Sequence, residues 1–230
     1  MTTGRLVGSL LVLVVAASAK AGVPTAEQVI AKCLASYDAA RTYQGKLAIH
    51  IVRGDQDART TLDLKAENGS NGKIARSAIR LTTSSHGPSG STSTEMLIVD
   101  NGTTVFTVDT RNKQYWSQPH SEDRISGMFR RLTENARQSV SMLKVALERF
   151  HGRPVYKVAG SGVSGAVSIV VDRETYQIYS AEGSGGAAAA PFRSELAATD
   201  QAFNKPIAAD AFKWTPPTGF ARREGGQGKP

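Results

Sequence analysis

The stretch that most constrains the fold is residues 94–117, in which two apolar runs flank the turn sequence Asp100-Asn101-Gly102. Asn-Gly is the strongest short signal for a β-hairpin, because a two-residue type I′ turn needs positive φ at both central positions. The apolar residues around this turn do not alternate with polar ones, so Met96 would face one side of the sheet and Leu97 the other. A strand that is apolar on both faces must be covered on both. The sequence therefore predicts a sheet with two covers. One can be an amphipathic helix, and the other a second layer, a closed barrel or an apolar ligand.

The first nineteen residues have the features of a secretory signal peptide. Arg5 supplies a positive charge, residues 6–16 form an apolar run too short to span a bilayer, and Ala17-Ser18-Ala19 is a cleavage site of the small-x-small type. Cleavage after Ala21 is the second option. No cysteine lies beside either site, so the segment is not a lipoprotein signal, and no later stretch has the pattern of a transmembrane helix. We therefore expect a periplasmic or secreted protein.

The charge of the chain limits its partners. It has 28 Lys and Arg against 20 Asp and Glu, which gives a formal net charge of +8. A basic surface can meet anionic lipid head groups, nucleic acid or cell-wall polymer. Export argues against nucleic acid, and the positive residues do not cluster with interleaved aromatic residues. We expect no nucleic-acid partner, at most a transient contact with a membrane surface, and a monomer.

Residues 25–41 have the pattern of an amphipathic helix. Thr25 can cap its N-terminus, and Gln28 three residues later completes an approximate capping box. Apolar residues recur at helical spacing, so this helix can cover one face of the sheet. Cys33, the only cysteine in the chain, lies in the middle of the apolar arc. We expect it to be buried and unreactive, and no intramolecular disulfide can form.

A second helix is predicted over residues 122–137, after Pro119 breaks the preceding strand. Ser121 can cap it, and acidic residues fill its first turn, where the helix dipole favours them. Its apolar side consists of Ile125, Met128, Phe129 and Leu132. Because this helix directly follows the doubly apolar strands, we expect it to form a lid over them.

The rest of the chain consists of short apolar or alternating runs separated by turn residues, which indicates about ten strands. Residues 84–93 and 183–190 are rich in small residues and are expected to be loops. The order of elements is not a βαβ pattern, so the predicted fold class is mainly β (α+β), a single antiparallel sheet with an N-terminal helix and an inserted lid helix. The expected domain spans residues 22–220, and the tail over 221–230 is expected to be disordered.

Several short motifs occur in an order found in one known family. Thr42-Tyr43-Gln44-Gly45 opens the first strand, and the Asp-Asn-Gly hairpin ends in Tyr115-Trp116. His151-Gly152-Arg153-Pro154 is followed by Asp172-Arg173-Glu174-Thr175, and Asn204-Lys205-Pro206-Ile207 precedes the C-terminal aromatic residues. In this order the motifs resemble the periplasmic LolA/LolB-like lipoprotein carrier superfamily, and within it the outer-membrane lipoprotein-sorting and DUF2092-type proteins. The resemblance covers nearly the whole predicted domain. It implies an open half-barrel whose concave apolar face is lidded by helices and takes up acyl chains.

The candidate ligand site is a set of apolar residues in the doubly apolar strands and the predicted lid. Its members are Met96, Ile98, Phe106, Val108, Trp116, Ile125, Met128, Phe129 and Leu132. These side chains can form either a closed core between sheet and helix or an acyl-chain cavity with a mobile lid. Methionines make adaptable cavity linings, whereas an unfilled apolar concavity would be a patch that soluble monomers avoid.

Signals of catalysis are weak. Gly160–Gly165 matches the dinucleotide fingerprint Gly-x-Gly-x-x-Gly, but a strand follows where the fingerprint needs a helix, so a hairpin loop is expected. The four histidines, at positions 50, 86, 120 and 151, have no metal-ligand spacing.

We predict an exported, non-enzymatic protein that binds acyl chains, free or on a lipoprotein, without a cofactor or a metal. The alternatives are a regulatory or structural interaction module of the same fold without lipid cargo, and a hydrolase without a recognisable motif.

Overall fold

The computed structural model describes residues 22–120, 127, 143–162, 165–186 and 191–223. The predicted signal peptide and, apart from Gly127, the predicted lid helix over 122–137 lie outside these residues. The helix α1 is Ala26–Ala39, and the strands are β1 Thr42–Arg53, β2 Gln56–Asn68, β3 Ile74–Gly87, β4 Gly90–Asp100, β5 Thr104–Asp109, β6 Gln114–Pro119, β7 Leu143–Phe150, β8 Arg153–Gly162, β9 Gly165–Asp172, β10 Ile178–Gly185, β11 Phe192–Phe203 and β12 Ala221–Arg222.

Two antiparallel meanders form a single sheet. Its strand order is β12-β6-β5-β4-β3-β2-β1-β11-β10-β9-β8-β7, and β1 and β11 join the two halves. The sheet is not closed into a barrel, because β12 and β7 are its two edges. In the part of the chain that the structure describes, it has twelve strands rather than about ten. The short strand β12 lies where the sequence predicts a disordered tail, and it pairs in parallel with β6.

The helix α1 begins as the sequence predicts. Thr25 Oγ1 accepts from the N–H of Gln28 at 3.2 Å, and Gln28 Oε1 accepts from the N–H of Thr25 at 2.9 Å, which completes the capping box. Val29, Cys33 and Tyr37 are buried against β1, β2 and β7–β11. We call the sheet face on which α1 packs the helix face, and the opposite one the outer face. Within the described residues, no helix combines the length and the apolarity needed to cross a membrane.

A polar and aromatic cluster fixes α1 to both halves of the sheet. The rings of Tyr37, Tyr43 and Phe203 pack in tilted or edge-to-face arrangements, with centroids 5.1 to 5.5 Å apart. Gln201 Oε1 accepts from Tyr37 Oη at 2.9 Å and from Tyr43 Oη at 3.3 Å. Gln201 Nε2 in turn donates to the carbonyl oxygen of Ile178 at 2.7 Å. Because buried hydroxyl groups need partners, this cluster defines how α1 sits on the sheet.

The C-terminal segment covers the outer face of β3–β6. A 3-10 helix over Ala209–Phe212 packs against β3, and the side chain of Phe212 is only 1% exposed. The guanidinium carbon of Arg76 lies 4.8 Å from the centre of the Phe212 ring. Trp214 then packs on Phe106 and Tyr115, with ring centroids 5.2 Å apart in each pair. The sequence predicts a cover on each face of these strands. On the outer face that cover is the chain's own C-terminal segment.

The predicted loop at residues 84–93 is wrong. The strands β3 and β4 continue through most of it and end with Gly87 opposite Gly90. Hydroxyl groups join the two strands, for example Ser85 Oγ and Thr92 Oγ1 at 2.6 Å. Cross-strand hydroxyl pairs stabilise a sheet, so small polar residues there extend the hairpin instead of ending it. The strand β10 likewise runs into the predicted loop at 183–190, to Gly185.

The hairpin at Asp100-Asn101-Gly102 is present, but its turn is not the predicted two-residue type I′. Asp100 pairs with Val105, and in the loop only Gly102 has a positive φ, of 90°. Asn101 Oδ1 accepts from the N–H groups of Thr103 and Thr104 at 3.0 and 2.9 Å. The asparagine therefore holds this loop through its side chain rather than through a left-handed backbone.

Candidate functional site

A stripe of apolar side chains crosses the helix face of β2–β6. Residues directly opposite one another in an antiparallel sheet lie on the same face, so the register defines its rows. One row runs through Leu47, Leu62, Leu81 and Met96 and ends in the polar residues Asp109 and Gln114 on β5 and β6. The next runs through Leu64, Ile79, Ile98, Thr107 and Trp116. We define the apolar stripe as Leu62, Ile79, Leu81, Met96, Ile98 and Trp116.

Burial along these rows is greatest beside α1, although Thr107 on β5 is also buried, at 8% exposed. Leu47 and Leu64 are only 5% and 1% exposed and belong to the core that packs on α1. All six members of the apolar stripe are half-buried. Leu62 and Ile79 pack against the core cluster around α1, and the other four members of the stripe lie outside it. The apolar stripe is therefore an extension of the core that α1 does not cover completely.

The register divides the predicted site residues between the two faces of the sheet. Met96, Ile98 and Trp116 lie on the helix face and belong to the apolar stripe. Phe106 and Val108 lie on the outer face, where Val108 is buried and Phe106 packs on Trp214. The structure thus brings the first three together and separates them from the other two. The remaining predicted residues, Ile125, Met128, Phe129 and Leu132, lie outside the described residues.

Sequence reasoning missed half of the apolar stripe, namely Leu62, Ile79 and Leu81. Each has a clear signal of its own, because it alternates with polar neighbours in a strand with one apolar face. What the sequence does not show is that Leu81 lies opposite Met96, and Ile79 opposite Ile98. Only the pairing of β3 with β4 joins these residues into one surface.

Polar rows bound the apolar stripe on both sides. Toward the tips of the β1–β2 and β3–β4 hairpins, Thr60, Thr83 and Thr94 form the next row, with the Thr60 and Thr83 hydroxyl oxygens 3.0 Å apart. On the other side lies the buried carboxylate of Asp100, which accepts from the N–H of Gly102 at 2.9 Å and contacts His120 Nδ1 at 2.7 Å. A ligand in the apolar stripe would therefore lie between hydroxyl groups and a carboxylate that already has hydrogen-bond partners.

Two histidines pair with carboxylates, but neither pair includes a serine. The ring of His50 lies 3.0 Å from Asp57 and 3.7 Å from Glu195 on the outer face, and its hydrogen bond lowers the pKa of Asp57. In the described part of the chain, no serine hydroxyl is hydrogen-bonded to His50 or His120, and no group of three or more side chains has the geometry of a metal site. In the Gly-x-Gly-x-x-Gly sequence, Gly160 to Gly162 end β8 and Gly165 begins β9, the antiparallel strand paired with it. A strand therefore follows, as predicted, where the fingerprint needs a helix. Residues 163 and 164 lie outside the described residues.

Two surface depressions lie away from the apolar stripe. One, of about 540 Å³, separates the start of α1 from β7 and is lined by residues such as Val23, Glu27 and Val145. The other, of about 480 Å³, lies between the end of α1 and the segment after β11, beside Arg41 and Asn204. Neither is lined by a residue of the apolar stripe.

Several solved structures are similar to this chain. An uncharacterized conserved protein from Thermus thermophilus is 8% identical with a TM-score of 0.47, over 86% of this chain and 99% of that one. MucB in the MucA/MucB complex of Pseudomonas aeruginosa is 13% identical with a TM-score of 0.45, over 82% of this chain and 60% of that one. A LolA superfamily protein from Nitrosomonas europaea is 12% identical with a TM-score of 0.34, over 84% of this chain and 99% of that one.

No protein-family model and no curated protein matches the chain by sequence. A protein of the LolA superfamily, the family that the motifs resemble, is one of the structural neighbours. With TM-scores below 0.5, these neighbours do not decide a function.

Proposed function

We propose that this protein binds acyl chains, free or as the lipid part of a lipoprotein, along the apolar stripe. The observation that supports this most is the half-burial of six large apolar side chains in two adjacent rows of one sheet face. These rows continue the core, so a ligand lying on them extends the core and needs no separate pocket. Large contiguous apolar patches on soluble proteins generally mark an interaction site.

The dimensions of the apolar stripe suit an extended chain. Five strands, β2 to β6, are separated by four spacings of 4.7–4.9 Å, so the stripe is roughly 19 Å across. A long acyl chain laid across the strands would contact both rows, and each methylene taken out of water contributes about 0.8 kcal/mol. Met96 can adapt to chains of different shape, and Trp116 at the far end combines an apolar ring with an N–H donor.

The β5–β6 turn places positive charge at the far end of the apolar stripe. Arg111 and Lys113 are both exposed there, and Arg111 Nη1 donates to the carbonyl oxygen of Ser93 at 2.7 Å. One carboxylate, that of Asp109, lies opposite Met96 at the same end and is hydrogen-bonded to Asn112. The two cations exceed it by one charge, so this end would still attract an anionic head group. We place this activity in the periplasm on the strength of the predicted signal peptide, as a binding function without catalysis.

Two variants of β4 test the proposal. Met96 and Thr94 lie on the same face of the strand, two residues apart, but only Met96 belongs to the apolar stripe. Met96→Asp places a charge under the ligand, and we expect it to weaken binding of a fluorescent fatty acid by about tenfold or more. Thr94→Asp adds the same charge in the polar row and should change the dissociation constant by less than about twofold. Native mass spectrometry of protein from the exported fraction should show co-purified lipid.

Equal binding by the two variants, or no fatty-acid binding by the parent protein, contradicts the proposal. The same experiments address the interaction module as the alternative. If the apolar stripe binds an amphipathic peptide but no fatty acid, and Met96→Asp abolishes the peptide binding, the stripe serves a protein partner.

A further inference from the structure

The two edges of the sheet are protected differently. At one edge, β12 pairs with β6, and the N–H groups of Ala221 and Arg223 donate to the chain beside it. At the other edge, no strand among the described residues pairs with the outer side of β7. Leu147, in the middle of β7, is 49% exposed, and its neighbours Ala146 and Glu148 are also exposed. An open edge of eight residues is a template for the addition of another strand.

The backbone groups that point outward from β7 follow from its hairpin. The β7–β8 turn consists of His151 and Gly152, with φ of 50° and 81°, and Phe150 is the last paired residue of β7. The pair that flanks such a two-residue turn is hydrogen-bonded, and hydrogen-bonded and non-hydrogen-bonded pairs then alternate along the ladder. Val145 and Leu147 therefore direct their N–H and C=O groups away from β8, while Ala146 directs its groups toward β8.

We propose that a second copy of this chain adds to this edge, with the two β7 strands antiparallel about a two-fold axis at Ala146. In this register Lys144 lies opposite the partner's Glu148, on the outer face. Val145 lies opposite the partner's Leu147, on the helix face, and their outward N–H and C=O groups pair with each other. Opposite charges and apolar pairs facing one another across strands stabilise a sheet.

Other registers of the same pairing lose this match. An axis at Val145 would place Lys144 opposite the partner's Ala146, and an axis at Leu147 would place it opposite the partner's Phe150. Only the axis at Ala146 gives two equivalent Lys–Glu pairs and two equivalent Val–Leu pairs. A two-fold interface uses the same patch on both subunits, so this self-complementary edge favours a second copy over an unrelated extended peptide.

The depression beside the start of α1 fits the same arrangement. It is lined by Val23, which is 53% exposed, and by Glu27, Leu143 and Val145. In the proposed register the partner's Leu147 lies beside Val145 and would cover this apolar lining. The partner's Arg149 lies opposite Leu143, on the side where Glu27 carries the opposite charge. The dimer would contain two such depressions, one in each copy, and side chains of the other copy would fill each of them.

Charge reversal tests the register. Glu148 Oε1 lies 3.5 Å from Lys157 Nζ in its own chain, but both Lys144 and Glu148 are exposed, so reversals there should not affect folding. We expect the parent protein to form a dimer, whose dissociation constant is measured by sedimentation at increasing concentration. This constant should rise about tenfold or more in Lys144→Glu and in Glu148→Lys. The double variant restores opposite charges and should return to within about threefold of the parent. Lys46→Glu reverses an exposed charge on β1 that, like Glu148, has an ion-pair partner in its own chain, and it should leave the dimer unchanged.

A disulfide tests the position of the axis. On the outer side Ala146 forms a non-hydrogen-bonded pair with the partner's Ala146, at a Cα separation of about 4.5 Å, which a disulfide can span. Ala146→Cys should therefore give a disulfide-linked dimer under mild oxidation, whereas Ala48→Cys, on the central strand β1, should not. A chain that stays monomeric at about 100 µM overturns the proposal. So does a dimer that survives Lys144→Glu without forming the disulfide, or a double variant that fails to restore association.

Discussion

Gly45→Ala should lower the free energy of unfolding, because the added methyl group would clash with the buried side chain of Tyr43. The ring of Tyr43 folds along β1 over Gly45, so an added Cβ would lie 2.6 Å from Tyr43 Oη and 3.0 Å from Tyr43 Cζ. The tyrosine has no room to yield, because it is fully buried and packs on the rings of Tyr37 and Phe203 at 5.5 Å. The methyl group must therefore displace a side chain that belongs to the central core.

Three terms set the magnitude. Overpacking a core costs about 1–3 kcal/mol, and moving Tyr43 Oη away from Gln201 sacrifices a hydrogen bond worth about 0.5–1.5 kcal/mol. Replacing glycine by alanine returns about 0.4–1 kcal/mol through the unfolded state. The net loss is about 0.5–4 kcal/mol, and each kcal/mol lowers the melting temperature of a domain of this size by roughly 2–4 °C.

A double-mutant cycle with Tyr43→Phe isolates the clash. Removing the hydroxyl oxygen leaves Cζ, at 3.0 Å, as the nearest atom of the ring, so Gly45→Ala should cost at least about 1 kcal/mol less in the Tyr43→Phe background. Urea unfolding of the four proteins measures each free energy of unfolding. If the two substitutions add to within about 0.5 kcal/mol, the tyrosine does not restrict position 45 and the reasoning is wrong.

Three further outcomes are expected. Burial raises the pKa of the Cys33 thiol to about 12, so the native protein should resist a thiol reagent at about pH 8 and react only on unfolding; rapid labelling would show that α1 is not packed as described. Burial alone would raise the pKa of Asp172, but the N–H groups of Thr175 and Glu174 and the hydroxyl of Tyr179 lower it overall. The stability it contributes is therefore present above its ordinary pKa and is lost as the pH falls through the lowered value, so the gap in unfolding free energy between parent and Asp172→Asn should shrink below about pH 4; a constant gap would contradict this. Phe212→Ala should cost about 3–5 kcal/mol, because the ring is 1% exposed; since it lies on the outer face, fatty-acid affinity should not change, and a large loss of affinity would place the ligand on that face.

Local signals in the sequence predicted the elements whose causes are local. The cap at Thr25 and Gln28 involves residues three apart, and α1 begins there. The hairpin at Asn101 was located correctly, although its turn type depends on side-chain hydrogen bonds that the dipeptide alone does not reveal. The extension of β3 and β4 was missed because serine and threonine are typical of loops. In this hairpin they pair across strands instead.

Long-range pairing was the part that the sequence could not supply. Phe106 and Trp116 are both aromatic residues of the same meander, and the pattern alone gave no reason to separate them. Phe106 lies opposite Val99 on the outer face, whereas Trp116 lies opposite Thr107 on the helix face. The cover of Phe106 comes from Trp214, far along the chain. No local pattern connects these positions, so the predicted site combined two surfaces that the fold keeps apart.

The size of α1 explains why one of those surfaces stays half-buried. A helix of 14 residues is about 21 Å long at 1.5 Å per residue. Twelve strands, separated by eleven spacings of 4.7–4.9 Å, span roughly 53 Å. Even laid straight across the strands, α1 covers less than half of the helix face, and the buried core around it draws on β1, β2 and β7–β11 but not on β3–β6. The outer face of β3–β6 avoids this shortage because the C-terminal segment covers it, whereas the helix face of the same strands keeps large apolar side chains that α1 does not bury. If the core ended where α1 ends, the sheet face beyond it would be in contact with water, and polar side chains would be expected at positions 81, 96 and 98 in place of Leu81, Met96 and Ile98. Apolar residues at these positions are the reason to assign a ligand to this face.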